Sequence, residues 1–65
     1  MRLIVNGIPA EAEATTLAEA LVVLGYGEAR VATAVNEVFV ASAARTGHAL
    51  RDGDRLEILA PRQGG

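Results

Sequence analysis

The 65-residue sequence contains no cysteine, no lysine and no tryptophan, and it has a single tyrosine and a single phenylalanine. Without cysteine the chain has no disulfide, no thiol nucleophile and no cysteine-based zinc site. The only histidine, His48, has no second ligand candidate at a metal-binding spacing, so we interpret it as a solvated loop residue and predict no metal site. Because aromatic residues are so scarce, the core must consist of valine, leucine, isoleucine and alanine.

The charges and the hydrophobic pattern exclude two further classes of protein. The formal net charge is -2, and the six arginines are spread along the chain without a basic run, which disfavours nucleic-acid binding. No apolar stretch approaches the roughly 18 residues of a membrane-spanning helix, and nothing resembles a signal peptide. We therefore expect a cytoplasmic protein that binds neither nucleic acid nor a membrane.

The length limits the chain to one domain, because a chain of this size buries only about 60% of its unfolded surface and cannot support a second core. We predict a folded domain over residues 1–60. Residues 61–65, which begin at a proline and end in two glycines, are predicted to be an extended, flexible C-terminal tail.

Four segments have the aliphatic and β-branched composition of strands and form two predicted hairpins. Asn6-Gly7 is the dipeptide preferred in a type I′ turn, and Asn36 supplies the turn of the second pair. Pro9 lacks a backbone donor and therefore places its strand at an edge of the sheet or at a bulge. The predicted strands cover residues 2–5, 8–14, 31–35 and 38–41.

One helix is predicted between the two hairpins. Thr16 and Glu19 have the spacing of a capping box, which starts the helix at Leu17, and Gly25 can take the left-handed conformation that ends it. Residues 42–50 are expected to form a loop with one irregular helical turn, and residues 55–60 a final strand. The fold class is α+β: a mixed sheet in the order β-β-α-β-β, followed by that final strand and crossed by one main helix.

The residues do not assemble a catalytic centre of their own. Asp52 and Asp54 are the closest pair of carboxylates, but Asp-Gly-Asp is typical of a tight turn in which the carboxylates cap backbone amides. The single serine, Ser42, and His48 do not supply a nucleophile, a base and an orienting group. We therefore predict that the chain is not an enzyme by itself.

The terminal Gly64-Gly65 pair is the most informative feature for function. Glycine has no Cβ, so this segment can pass through a narrow channel in a partner that a side chain would block. Fully extended, the five residues from Pro61 to Gly65 reach about 17 Å. A carboxylate must be activated by a nucleotide before it accepts a nucleophile, and because we find no nucleotide site in the chain, a partner must supply one.

Three segments resemble the ThiS family, the sulfur carrier proteins of the thiamine pathway: Val35-Asn36, residues 50–58 (LRDGDRLEI), and the terminal Gln63-Gly64-Gly65. The resemblance spans essentially the whole chain and implies a ubiquitin-like β-grasp fold. It implies that Gly65 is the reactive residue: an E1-like (ThiF-type) adenylyltransferase adenylates its carboxylate with ATP, and sulfur from a donor enzyme converts it to a thiocarboxylate.

The resemblance also implies that a ThiG-type thiazole synthase uses the sulfur and that this chain itself binds no cofactor. Pro61, Arg62, Gln63 and Gly64 are then the residues that contact the partners. Three alternatives remain open: a small subunit of molybdopterin synthase, a ubiquitin-related modifier of protein lysines, and a non-catalytic β-grasp module that binds through its sheet.

Overall fold

The computed structural model describes residues 1–61, which form one five-stranded mixed sheet with a helix packed across it. The predicted secondary-structure elements are all present. They are β1 (Arg2–Val5), β2 (Ile8–Glu11), α1 (Leu17–Val23), β3 (Ala32–Val35), β4 (Val38–Val40), a 3₁₀ helix (Ser42–Gly47) and β5 (Arg55–Leu59).

The last strand in the chain lies at the centre of the sheet, whose order is β2-β1-β5-β3-β4. It runs parallel to β1 and antiparallel to β3, and Leu56 is paired with Val5 on one side and with Val35 on the other. The sheet is therefore two hairpins held together by β5. The predicted edge position of Pro9 is confirmed, since β2 has only β1 as a neighbour.

Both hairpins turn at an asparagine in the left-handed conformation. Asn6 has φ 51° and Gly7 has φ 84°, as a type I′ turn requires. Asn36 and Glu37 have φ 50° and 73°. A glutamate rarely adopts positive φ, so the second turn is more strained than the first.

The helix begins and ends where the sequence predicted. The Glu19 N–H donates to Thr16 Oγ1 (3.2 Å), and Glu19 Oε1 in return accepts from the Thr15 N–H (2.8 Å), one residue before the cap. At the other end, Gly25 has φ 95°, and the Tyr26 N–H donates to the Leu21 carbonyl (2.7 Å). These bonds satisfy backbone groups that a short helix leaves unpaired.

The core is aliphatic, as predicted, and lies between the helix and the inner face of the sheet. Leu3, Leu17 and Leu56 are essentially inaccessible to solvent. Leu17, Ala20 and Leu21 form the buried stripe of the helix. The other buried hydrophobic residues are Ala12, Val35, Val40, Leu50 and Ile58.

An arginine holds the segment for which the sequence predicts a loop with one irregular helical turn. The Arg45 guanidinium donates from Nε to Thr33 Oγ1 (3.0 Å) and from Nη2 to the Val31 carbonyl (2.6 Å). Thr33 is buried and donates its own hydroxyl proton to the Val40 carbonyl (2.8 Å). This network ties the 3₁₀ helix to β3, which explains why the helical structure is longer than the single predicted turn.

The predicted boundaries shift by a few residues elsewhere. β2 stops at Glu11 rather than at residue 14, although the Ala12 N–H still donates to the Met1 carbonyl (3.0 Å). No helix among residues 1–61 is long and apolar enough to cross a membrane. The division into a domain over 1–60 and a tail over 61–65 stays a prediction, since residues 62–65 lie outside the described part of the chain.

Candidate functional site

The strand β5 leads directly to the predicted site. It ends at Leu59, and Pro61 follows as an exposed residue, outside the sheet. Of the residues that sequence analysis assigned to the site, Pro61 is the only one that the structure describes. Arg62, Gln63, Gly64 and Gly65 lie outside the described residues, so their predicted roles stay predictions.

The end of β5 is held by a side chain that sequence analysis interpreted only as a turn residue. The Ile58 N–H donates to Asn6 Oδ1 (2.8 Å), and Asn6 Nδ2 donates to the Ile58 carbonyl (3.1 Å). On its other side, β5 pairs with β3 through Thr33. Both backbone groups of Ile58 are thus bonded to Asn6, three residues before Pro61.

An apolar groove lies beside this end of β5, on the face of the sheet opposite the helix. Leu56 and Ile58 point into the core, so the alternation of β5 turns Glu57 and Leu59 outward. The groove has a volume of about 570 Å³. Its lining residues are Asn6, Ala32, Thr33, Ala34, Phe39, Glu57, Ile58 and Leu59, and we call it the outer groove.

Two large apolar side chains stand out in the outer groove. Phe39 is 69% exposed and Leu59 is 71% exposed, although both are large enough to belong in a core. Exposed apolar surface of this kind commonly marks a site of protein interaction. Sequence analysis did not assign either residue, although strand alternation in β4 and β5 places both opposite the buried set.

Comparison with known protein families gives one match that spans nearly the whole chain. The family model of the ThiS family matches residues 3–65. The chain belongs to the ThiS family. The match covers both the described fold and residues 62–65, and it confirms the resemblance found in the sequence.

A solved structure supports the same conclusion for this ThiS-family chain. The crystal structure of a thiamine biosynthesis protein, ThiS, from Geobacter metallireducens is 29% identical to it, with a TM-score of 0.82 and full coverage of both chains. The predicted ubiquitin-like β-grasp fold is confirmed by this similarity. No curated protein matches the chain.

The two aspartates of the ThiS-family chain have structural partners in the turn before β5. Asp52 Oδ1 accepts from the Arg2 N–H (2.6 Å). Asp54 Oδ2 accepts from the Arg51 N–H (2.8 Å), and its Oδ1 accepts from Asn36 Nδ2 (3.0 Å). Asp54 therefore caps a backbone amide of its own turn, as predicted, whereas Asp52 bonds a backbone amide of β1 and joins the turn to that strand.

The environment of Asp54 favours its charged form. Partial burial acts to raise the pKa of Asp54, but the hydrogen bonds from the Arg51 N–H and from Asn36, with the positive charge of Arg51, outweigh it. The pKa of Asp54 is therefore below its ordinary value of 3.8. Ionised Asp54 stabilises the fold above pH 3.8, and this contribution is lost as the pH falls through the folded-state pKa.

We expect Asp54→Asn to lower the free energy of unfolding at pH 7 by about 1 kcal/mol, because the amide cannot replace the charged acceptor. The difference from the wild-type protein should be smaller at pH 2 than at pH 7, because ionised Asp54 stabilises the fold progressively less as the pH falls below 3.8. Urea denaturation of both proteins at the two pH values measures the difference in free energy of unfolding. A difference that is constant with pH would contradict the proposed role of the charge.

His48 is half-buried, and its backbone carbonyl accepts from the Leu17 N–H (2.9 Å). The position in a connecting segment agrees with the sequence interpretation, although the residue is less solvated than expected. Among residues 1–61, no group of three or more histidine or acidic residues is placed to hold a metal ion. The expected absence of a metal and the cytoplasmic localisation both stay predictions.

Proposed function

We propose that this chain is the sulfur carrier of thiamine (thiazole) biosynthesis and that Gly65 carries the sulfur as a C-terminal thiocarboxylate. Membership in the ThiS family and the similarity to a thiamine biosynthesis protein over the full length support this role. The chain is then a protein co-substrate that partner enzymes act on, rather than an enzyme.

The proposed chemistry has two steps at one carboxyl group. An oxygen of the Gly65 carboxylate attacks the α-phosphorus of ATP, which forms an acyl-adenylate and releases pyrophosphate. Hydrosulfide released by a donor enzyme then attacks the carbonyl carbon; AMP leaves, the sulfur loses its proton, and the thiocarboxylate forms with no change of oxidation state. We assign ATP binding to an E1-like (ThiF-type) adenylyltransferase, and use of the sulfur to a ThiG-type thiazole synthase.

The position of β5 is the structural observation that best supports this proposal. The central strand of the sheet, bonded on both sides, leads within two residues to the exposed Pro61. A rigid body can therefore present the segment that follows, and Gly64 gives it the clearance to enter a narrow site. Pro61, Arg62 and Gln63 are proposed to guide the segment into the partner.

Intact-mass spectrometry tests the proposal directly. The protein is incubated with ATP, the activating enzyme and a sulfide source, and a mass increase equal to replacement of one oxygen by sulfur is expected. Addition of a ThiG-type thiazole synthase with its substrates should then return the carrier to its original mass. No mass change with an enzyme that is active on another carrier of its kind would contradict the proposal.

We further propose that the activating enzyme docks on the outer groove, because this apolar surface adjoins the strand that leads to Gly65. Phe39 and Leu59 provide the exposed apolar area. Asn6 and Glu57 add polar groups to the lining of the groove. Protein interfaces combine an apolar core with polar groups in this way.

Phe39→Arg should raise the KM for the carrier in adenylation by about 30-fold, the effect of losing a contact of about 2 kcal/mol. The matched control is Val38→Arg, because Val38 is 64% exposed on the same strand but alternates to the other face. Steady-state adenylation kinetics measure both variants, with thermal denaturation as a check of folding. Equal KM values for the two variants would place docking elsewhere.

A further inference from the structure

We propose that Asn6 is a positioning residue for the sulfur-transfer reaction: its side chain clamps the end of β5 and so directs the C-terminal segment into the partner's site. This inference rests on the proposed function. It assigns to Asn6 a role beyond forming the first hairpin turn.

The Asn6 side chain takes the place of a backbone hydrogen-bonding partner for Ile58. The β1 strand ends at Val5, and its ladder reaches β5 through the Asn6 N–H, which donates to the Leu56 carbonyl (2.9 Å). The chain then turns away into the hairpin. Beyond that point, no β1 backbone pairs with Ile58, and the Asn6 amide takes both its N–H and its carbonyl.

The geometry makes this an unusually well-fixed side-chain contact. A primary amide carries one acceptor and one donor group, which match the carbonyl and N–H of a strand residue. The Asn6 backbone is itself fixed by the turn (φ 51°) and by the bond to Leu56. The side chain therefore extends the hydrogen-bonding pattern of the parallel β1–β5 pair by one residue, close to the end of β5.

Asn36 makes the corresponding contact at the other end of the strand. The Arg55 N–H donates to Asn36 Oδ1 (3.0 Å), and the Asn36 N–H donates to the Arg55 carbonyl (2.8 Å). The turn asparagines of the two hairpins thus bracket β5. Asn6 acts three residues before Pro61, whereas Asn36 acts six residues before it, so the two differ in distance from the reactive end.

Loss of the Asn6 clamp would leave the end of β5 bonded only to β3. The freed Ile58 groups would turn to water, and the segment after Leu59 would leave the sheet over a wider range of directions. Fewer of the docked carriers would then place Gly65 at the nucleotide. The expected consequence is a lower kcat, because a small misplacement of a reacting group costs between about 10- and 100-fold in rate.

The test compares Asn6→Gly with Asn36→Gly. Glycine adopts positive φ freely, so both variants keep their turns. Asn6→Gly loses the bonds to Ile58, and Asn36→Gly loses the side-chain bonds to Arg55 and Asp54. We expect Asn6→Gly to lower the kcat of adenylation by at least about 10-fold. Because Asn6 also lines the outer groove, the test compares kcat and not KM. Asn36→Gly, at a similar loss of thermal stability, should keep the wild-type kcat.

Two further measurements separate positioning from a general loss of structure. Amide hydrogen exchange should become faster at Ile58 in Asn6→Gly but not in Asn36→Gly. Asn6→Asp, which keeps the acceptor for the Ile58 N–H and loses the donor, should have an intermediate kcat. Equal kcat values for Asn6→Gly and Asn36→Gly would overturn the inference alone, whereas a wild-type chain that an active enzyme does not adenylate would overturn the proposed function as well.

Discussion

A chain that lacks Gly64 and Gly65 is expected to form no thiocarboxylate, while its melting temperature stays that of the full-length protein. The described sheet, helix and core lie within residues 1–61, so deletion of the last two residues leaves every contact among the described residues in place. The shortened chain still ends in a carboxylate, that of Gln63. Loss of the mass increase would therefore show that the glycines, and not merely a terminal carboxylate, are required.

Gly64→Val is the matched control for chain length. This variant keeps the Gly65 carboxylate at the same distance from Pro61 but adds a branched side chain where we propose that the segment passes through a narrow channel. It should be adenylated far more slowly than the wild-type chain and should melt at the same temperature. Sulfur transfer to the truncated chain would contradict the proposed role of Gly65, and full activity of Gly64→Val would contradict the requirement for clearance.

The elements of the fold were predictable where neighbouring residues determine them. Asn6-Gly7 sets its turn through positive φ, Thr16 and Glu19 start the helix, and Gly25 ends it, each through bonds within a few residues. Local chemistry of this kind is readable in a single sequence. The position of β5 was not, because its partners are more than 15 residues distant in the chain and periodicity does not encode which strands pair.

In the candidate site too, local features could be predicted from the sequence, whereas contacts between distant residues could not. The Gly64-Gly65 pair could be recognised from the sequence alone. Phe39 and Leu59 were not assigned, although strand alternation would have placed them on the outer face. The clamp from Asn6 to Ile58 could not be predicted, because it joins residues 52 positions apart in the sequence. Arg45, which holds Thr33, was missed for the same reason.

The central position of β5 links the fold to the proposed function. A strand at the edge of a sheet is bonded on one side and frays more readily than a central strand. Here, the strand that leads to the reactive segment is bonded by β1 and β3, and both turn asparagines reinforce it. A domain of this size can therefore give its C-terminal segment a fixed starting point without disulfides.

The small core makes the fold sensitive to a single buried residue, and Leu21→Ala is expected to unfold most of the protein at room temperature. Leu21 is 4% exposed, so truncation to alanine should cost about 2 to 5 kcal/mol. A domain of fewer than 70 to 80 residues rarely has more than about 3 to 5 kcal/mol of net stability. Thermal denaturation followed by circular dichroism would detect the change as a lost or strongly lowered transition.

Val22→Ala is the control, because Val22 is the next residue of the helix and is 66% exposed. Its stability should stay within about 0.5 kcal/mol of the wild-type value, since no core contact is lost and alanine is the better helix former. If the two variants melted alike, the packing of α1 through Leu17, Ala20 and Leu21 would be wrong. If only Leu21→Ala unfolds, the helix contributes a large part of the stability that holds β5, and with it the proposed tail, in place.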